Sequence, residues 1–216
     1  GNPLIAETVE EPVAWWSFNE SKGNYTSESV SNTLSEVDGH KTLWRKGVSG
    51  TALQFDGYYS KIELPADKAP QPKDAITIES WVALGAYPWS DVPIVQQADD
   101  EPEQLIAKRG GEAHLIGEEG RDEFEEALEE GGEQEEFSFV LKEENDTGYF
   151  FGLDGYGNPV FKLRVGDNWQ QLATDYHLER RQWYHLAATY SKADGMMRVF
   201  VNGDQVGEKR VDKADI

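Results

Sequence analysis

The 216 residues contain no cysteine. Disulfides and thiolate metal sites are thereby excluded, so the fold must stand on its apolar core. A chain of this size can do that, since it buries about 70% of its unfolded surface, and a single all-β domain routinely runs to this length. No apolar run nears the ~18 residues that a membrane-spanning helix needs. Positive charge is scarce: 20 Lys and Arg stand against 41 Asp and Glu, a net charge of −21. Without a basic cluster there is nothing to displace counterions from a polyanion, which argues against nucleic acid and equally against anionic membrane surfaces. P-loop, dinucleotide and nucleophile-elbow patterns are missing. His40, His114, His177 and His185 do not stand at metal-ligand spacing.

Alternating apolar residues are plentiful. Trp183–Tyr190 and Met197–Val201 alternate with period 2 and are rich in aromatic and β-branched side chains, as half-buried strands are. Asp194-Gly195 separates them, and Asn202-Gly203 returns the chain through Gln205-Val206-Gly207. Both dipeptides supply the positive φ that tight hairpins need. The same alternation predicts strands at Ala75–Ala83, Tyr149–Leu153, Val160–Val165 and Trp169–Ala173, and therefore an all-β, antiparallel protein.

Five pieces in order carry a family resemblance. They are the Trp183–Tyr190 strand with its following Arg198-Val199-Phe200-Val201-Asn202-Gly203, then Val13–Glu20, Gly50–Gly57, Ile76–Val82 and Tyr149–Asp154. Together they resemble the laminin G-like, concanavalin A-like lectin/glucanase jelly roll. The resemblance implies a two-sheet antiparallel jelly-roll sandwich and a binding or adhesion role toward glycan or protein ligands, in an extracellular or cell-surface setting. It also implies a structural calcium, with Asn19, Glu20 and Asp56 at the matching positions. The family pattern continues beyond the returning strand, so a longer polypeptide or another chain is expected to complete the sandwich after Val211–Ile216.

Residues 1–11 read as a tail and 12–216 as the domain, interrupted by an insertion at 98–136. That insertion holds 16 Asp/Glu against three Lys/Arg, a net −13 of the total −21. Phe124, Ala127 and Leu128 fall at i, i+3, i+4, which predicts a short helix over 121–130 stopped by Gly131-Gly132. The insertion is thus expected to be acidic and partly helical, either solvated or a surface for protein docking. Residues 21–49 read as a long loop, and Thr51–Asp56 with Ser60–Leu64 as a hairpin around Gly57-Tyr58-Tyr59.

The glucanase side of the superfamily requires two carboxylates two residues apart on one strand. The nearest string, Glu36-Val37-Asp38-Gly39-His40-Lys41, has lysine where a further glutamate belongs and falls in the expected loop. No enzyme is expected; a degenerate glycoside hydrolase is the alternative. Strand-borne Trp16, Phe18, Phe55, Trp81, Trp183 and Phe200 are expected in the core, and His185 as a structural histidine. Loop-borne aromatics suit sugar stacking. Tyr87, Trp89 and Asp91 combine stacking surface with a carboxylate; Tyr58, Tyr59 and Trp169 complete the expected ligand contacts.

Overall fold

The computed structural model describes residues 11–39, 42–57, 59–97 and 148–216, and the strand backbone within 105–109, 112–116 and 138–141. Among the described residues sixteen strands run in order: β1 (Tyr25–Glu28), β2 (Thr33–Asp38), β3 (Leu43–Lys46), β4 (Thr51–Gln54), β5 (Lys61–Ile62), β6 (Ala75–Ala83), β7 (Val92–Gln97), β8 (Leu105–Arg109), β9 (Glu112–Ile116), β10 (Ser138–Leu141), β11 (Tyr149–Leu153), β12 (Pro159–Val165), β13 (Asn168–Ala173), β14 (Trp183–Ser191), β15 (Met196–Val201) and β16 (Asp204–Arg210). No helix occurs among the described residues, and the protein is all-β.

Two compact units divide the chain, residues 96–149 and the remainder. The larger holds two four-stranded sheets, ordered β13-β12-β11-β7 and β16-β15-β14-β6. In the second sheet every neighbouring pair is antiparallel. The expected Asn-Gly hairpin joins β15 to β16, with φ of 53° at Asn202 and 87° at Gly203. Strands β12 and β13 face β15 and β16. Between the sheets Phe151, Leu153, Phe161 and Leu163 meet Tyr184, Leu186, Tyr190, Met197, Val199 and Val201, all buried. Phe151 and Phe161 pack edge to face with centroids 6.2 Å apart. Gly152 is forced by close approach, because a Cβ there would lie 2.1 Å from the Val92 carbonyl oxygen on β7.

Trp81 and Trp183 were expected in this core and are not in it. Trp81 pairs with His185 and Trp183 with Ala83 on the outward face of the β6–β14 pair, leaving the indoles 52% and 38% exposed. Trp16, Phe18 and Phe200 are half-buried and Phe55 is exposed. Period 2 identifies a strand's two faces but not which of them is inner: Ile78, Tyr184, Leu186 and Ala188 occupy the inner face, and the two tryptophans the outer.

The first third differs from expectation more widely. Residues 21–49 contain three strands rather than a long loop: β1 and β2 pair with each other, and β3 pairs with β4. The expected hairpin around residues 57–59 does not form. Strand β4 turns back onto β3 through Gly47–Gly50, and β5 joins β2 with Val37 opposite Ile62. Val13–Glu20 forms no strand beyond a single bridge from Trp16 to Glu28. Phe18 and Ser21 take positive φ of 53° and 62°, which interrupts any extended run.

In the smaller unit β8 pairs with both β9 and β10. Strands β8 and β9 fall inside the expected insertion, so part of that acidic stretch is hairpin. The helix expected over 121–130, and all of the expected tail over residues 1–11 except Glu11, lie outside the described residues.

Candidate functional site

Three connections meet at one end of the sandwich: residues 84–91 between β6 and β7, the turn 154–158 between β11 and β12, and residues 174–182 between β13 and β14. Backbone bonds tie them together. The Arg181 amide donates to the Leu84 carbonyl at 2.8 Å, and the Leu178 amide donates to the Gly157 carbonyl at 3.1 Å. Side chains add a second set of ties. The Tyr87 hydroxyl lies 2.8 Å from His177 Nε2, and the Arg180 guanidinium sits 5.5 Å from the Tyr87 ring centroid. Gly157, at φ of 80°, lies so close that a Cβ there would come 2.8 Å from Tyr87 Cδ1. Tyr87 is therefore a brace between connections.

Beyond this brace two aromatic side chains stand free, Trp89 at 92% exposure and Tyr156 at 76%. Their turns touch: a Cβ on Gly155 would lie 3.4 Å from the Trp89 carbonyl oxygen. Asp154 shapes the Tyr156 turn by accepting from the Tyr156 and Asn158 amides at 2.8 and 2.9 Å and from Asn158 Nδ2 at 2.9 Å. Burial opposes its ionisation, but these bonds prevail and hold the carboxyl below the ordinary aspartate range. Asp91, two residues past Trp89, accepts an ion pair from Lys162 Nζ at 3.0 Å, and that ammonium lies 5.1 Å from the Phe150 ring centroid. The arrangement offers ring faces for stacking beside a carboxylate and an ammonium that can accept from and donate to hydroxyl groups.

Of the expected ligand contacts, Tyr87, Trp89 and Asp91 come together on this rim. Tyr59 sits instead on the Asp56 turn between β4 and β5, and Tyr58 lies outside the described residues. Trp169 is on strand β13 rather than in a loop; it is half-buried opposite Arg164, and its Nε1 is sealed from solvent with no described hydrogen-bond partner. Tyr156, His177 and Arg180 were not singled out. A tyrosine between glycines in a turn, as in Gly155-Tyr156-Gly157, was the available signal, because such a turn leaves its central side chain nowhere to bury.

Asn19, Glu20 and Asp56, the positions expected for calcium, each place a side-chain oxygen on donors of nearby turns. Asp56 Oδ1 accepts from the Tyr59 and Ser60 amides and the Ser60 hydroxyl, all at 2.9 Å. Asn19 Oδ1 takes the Thr51 amide at 3.1 Å, and Glu20 Oε1 takes the Thr26 hydroxyl and the Ser27 amide at 2.9 Å. Each of these oxygens takes turn donors, whereas Glu20 Oε2 is buried without a described hydrogen-bond partner; no group of three His, Asp or Glu able to hold a metal occurs among the described residues. His185 Nε2 lies 3.4 Å from Glu79 Oε2, and its ring sits 5.3 Å from that of Trp81, an outward cross-strand cluster. Glu36 and Asp38 prove to be strand-borne, two apart on β2, both exposed, with Glu36 Oε1 taking Asn24 Nδ2 at 2.8 Å.

No curated protein matches the chain. Among solved structures it is similar to a crystal structure of residues 221–444 of an S-layer domain-containing protein from Clostridium thermocellum, with 18% identity and a TM-score of 0.46 over 92% of this chain and 72% of that one. Residues 128–215 match the family model described as the Concanavalin A-like lectin/glucanases superfamily, so the laminin G-like resemblance is shown across the C-terminal part of the chain.

Proposed function

We propose that the chain is a non-catalytic binding module of the jelly-roll type that takes carbohydrate on the rim formed by Trp89, Tyr156 and Asp91, in a cell-surface or extracellular protein. The observation that carries this reading is the pair of almost fully exposed aromatic side chains on two cross-braced turns. An indole left in water gains nothing for the fold, whereas it offers a sugar ring a rigid stacking face at small entropic cost. Asp91 with Lys162 supplies the polar half of such a contact. The superfamily match is in keeping with a lectin-like role and with a surface location.

A non-catalytic reading is supported by the state of the only glucanase-like string. Glu36 and Asp38 lie exposed on a short strand of the first third, and Lys41 takes the place of a further carboxylate. Glycoside hydrolysis requires two carboxyl groups held about 5–10 Å apart around a bound sugar.

The test is a glycan array followed by titration calorimetry of the best ligand against wild type, Trp89→Ala and Tyr156→Ala. Binding should fall at least about tenfold in each variant, roughly the worth of one stacking contact. Equal affinity in wild type and both variants would remove the rim from consideration. Release of reducing ends from that ligand would overturn the non-catalytic reading. Binding in EDTA should equal binding in calcium, because the rim of Trp89, Tyr156 and Asp91 uses none of the expected calcium positions Asn19, Glu20 and Asp56.

A further inference from the structure

Strand β6 (Ala75–Ala83) is the outer strand of its sheet, with β14 on one side and no strand on the other among the described residues. The Lys192 amide donates to the Asp74 carbonyl at 2.8 Å, one step past the Ser191–Ala75 pair. Bonded and non-bonded pairs alternate along an antiparallel ladder, so Ile76, Ile78, Ser80 and Val82 spend their amides and carbonyls on β14. Those of Ala75, Thr77, Glu79, Trp81 and Ala83 point outward. No described residue bonds to them. The nearest bond on that side runs from the Ile216 amide to the Lys73 carbonyl, at 2.9 Å.

The other three sheet edges are protected against a further strand. Asp204, Glu208, Lys209 and Arg210 charge β16, and its register against β15 shifts between Val199 and Phe200. Pro93 interrupts β7, and Lys209 Nζ takes the Gln171 carbonyl of β13 at 3.1 Å. Strand β6 has none of these devices. It contains no proline, glycine, lysine or arginine, and it follows β14 for nine pairs without a bulge. Its inner row is also incompletely covered: Ile76 and Val82 are half-buried, whereas Tyr190 and Tyr184 opposite them are buried. A long, regular, apolar edge with free backbone groups is a template for another strand.

We propose that β6 pairs with the same strand of a second copy of this chain, antiparallel about a twofold axis through Ser80. Such an interface is self-complementary, and with the other edges protected it closes at two copies. Centring the axis on Glu79 would set two carboxylates directly opposite each other, which is unfavourable. Centring it on Ile78 would bring Ala83 against Lys73, whose carbonyl is already taken. With the axis on Ser80, Thr77 bonds to the second copy's Ala83 and Glu79 to its Trp81, so every outward group from Thr77 to Ala83 is satisfied. On the inner face Ile78 then covers the second copy's Val82. Ser80 is the one polar residue of that inner row, half-buried and without a described partner. Opposite its own copy, in the narrow non-bonded pair, each hydroxyl meets the other. Glu79 is the only charge on the strand, so repulsion between two chains of net charge −21 acts from a distance and is screened by salt. The inference is independent of the carbohydrate rim, whose Trp89, Tyr156 and Asp91 lie outside β6.

The test is sedimentation velocity of the chain over graded concentrations. Dimers should form, and should tighten in added salt. Glu79→Pro removes an outward amide without touching a β14 bond, and should weaken association at least about tenfold; near-ultraviolet circular dichroism reports whether the variant is folded. A second variant checks the register. The chain lacks cysteine, so Ser80→Cys introduces a single thiol at the axis, within disulfide range of its mate. Mild oxidation should link it into a covalent dimer, while Thr77→Cys, far from the axis, should stay unlinked. A chain that remains monomeric at every concentration would overturn the proposal. So would a dimer that Glu79→Pro leaves intact, or Thr77→Cys linking as readily as Ser80→Cys, since another surface would then hold the copies together.

Discussion

Residues 11–62 and residues 149–201 use opposite means of holding together. Among the described residues, all but two of the buried apolar side chains, Val37 and Ile78, lie in the later stretch. In the earlier one the buried residues besides Val37 are Thr26, Glu28 and Ser35, while Val13, Trp15, Leu34 and Tyr59 face solvent. Glu28 is the centre of that earlier stretch. Its carboxylate accepts from the Trp15 and Val30 amides at 2.8 and 2.7 Å and from the Ser31 amide at 2.6 Å, binding the incoming chain to the β1–β2 turn. One region is stabilised by area removed from water, the other by side-chain acceptors that satisfy backbone donors.

The comparison breaks most visibly under core truncation. Phe161→Ala, fully buried against Phe151, should cost about 3–5 kcal/mol in chemical denaturation. Trp15→Ala, on an exposed side chain, should cost less than about 1 kcal/mol. Equal losses would mean that the first third has an apolar core after all. Next in size is Gly152→Ala. The new methyl meets the Val92 carbonyl oxygen and the Phe150 ring, so β7 must move away from β11, at about 1–3 kcal/mol. Hydrogen exchange should localise that loss to β7.

For the polar region the lever is pH. Burial opposes ionisation of Glu28, but bonds from the Ser31 hydroxyl and the Trp15, Val30 and Ser31 amides outweigh it and lower the pKa from 4.5 to about 2. A lowered folded-state pKa stabilises fully above the unfolded value and loses that contribution as pH falls from about 4.5 to about 2. Glu28→Gln should cost about 2 kcal/mol at neutral pH and should flatten the acid limb of the stability curve. A variant with the wild-type acid limb would show that the carboxylate is not what binds residues 15–31.

Legibility in the sequence follows the same division. Strands β6, β11, β12, β14 and β15 were evident because apolar side chains recur there at period 2, and the turns at Asp194-Gly195 and Asn202-Gly203 because only a few residues accept positive φ. Strands β1 and β2 were not, since Thr26, Glu28 and Ser35 point inward and alternation of polarity carries no signal when both faces are polar; β3, Leu43-Trp44-Arg45-Lys46, is four residues long and shows no alternation. Ser60–Leu64 looked like the partner of Thr51–Asp56 because it came next; Asp56 instead spends its oxygen capping the intervening turn. At the rim, Trp89 and Asp91 were readable from composition in a loop. Tyr87 as a brace, and Tyr156 as the second exposed ring, depend on three connections converging, which only the pairing of distant strands brings about.

The smallest stability effect belongs to Trp89, and it sharpens the comparison most. Exposed aromatics occur in the earlier stretch and on the rim between β6 and β7 alike, yet they need not mean the same thing. Trp15 contributes its backbone to the bonds around Glu28, so its exposed ring accompanies a structural role. Trp89 is carried on a turn whose rigidity comes from elsewhere, from Tyr87 against His177 and Gly157 and from the Arg181–Leu84 bond. Trp89→Ala should therefore leave the unfolding free energy within about 0.5 kcal/mol of wild type while abolishing the stacking face. Tyr87→Ala should do the reverse in kind: it removes the brace, so amide exchange at residues 84–91 should accelerate and ligand affinity should fall through loss of preorganisation. Adding His177→Ala to Tyr87→Ala should then cost little more, because the two rings form one contact. Additive losses from those two changes would show that they act separately and that the rim is not braced through their contact.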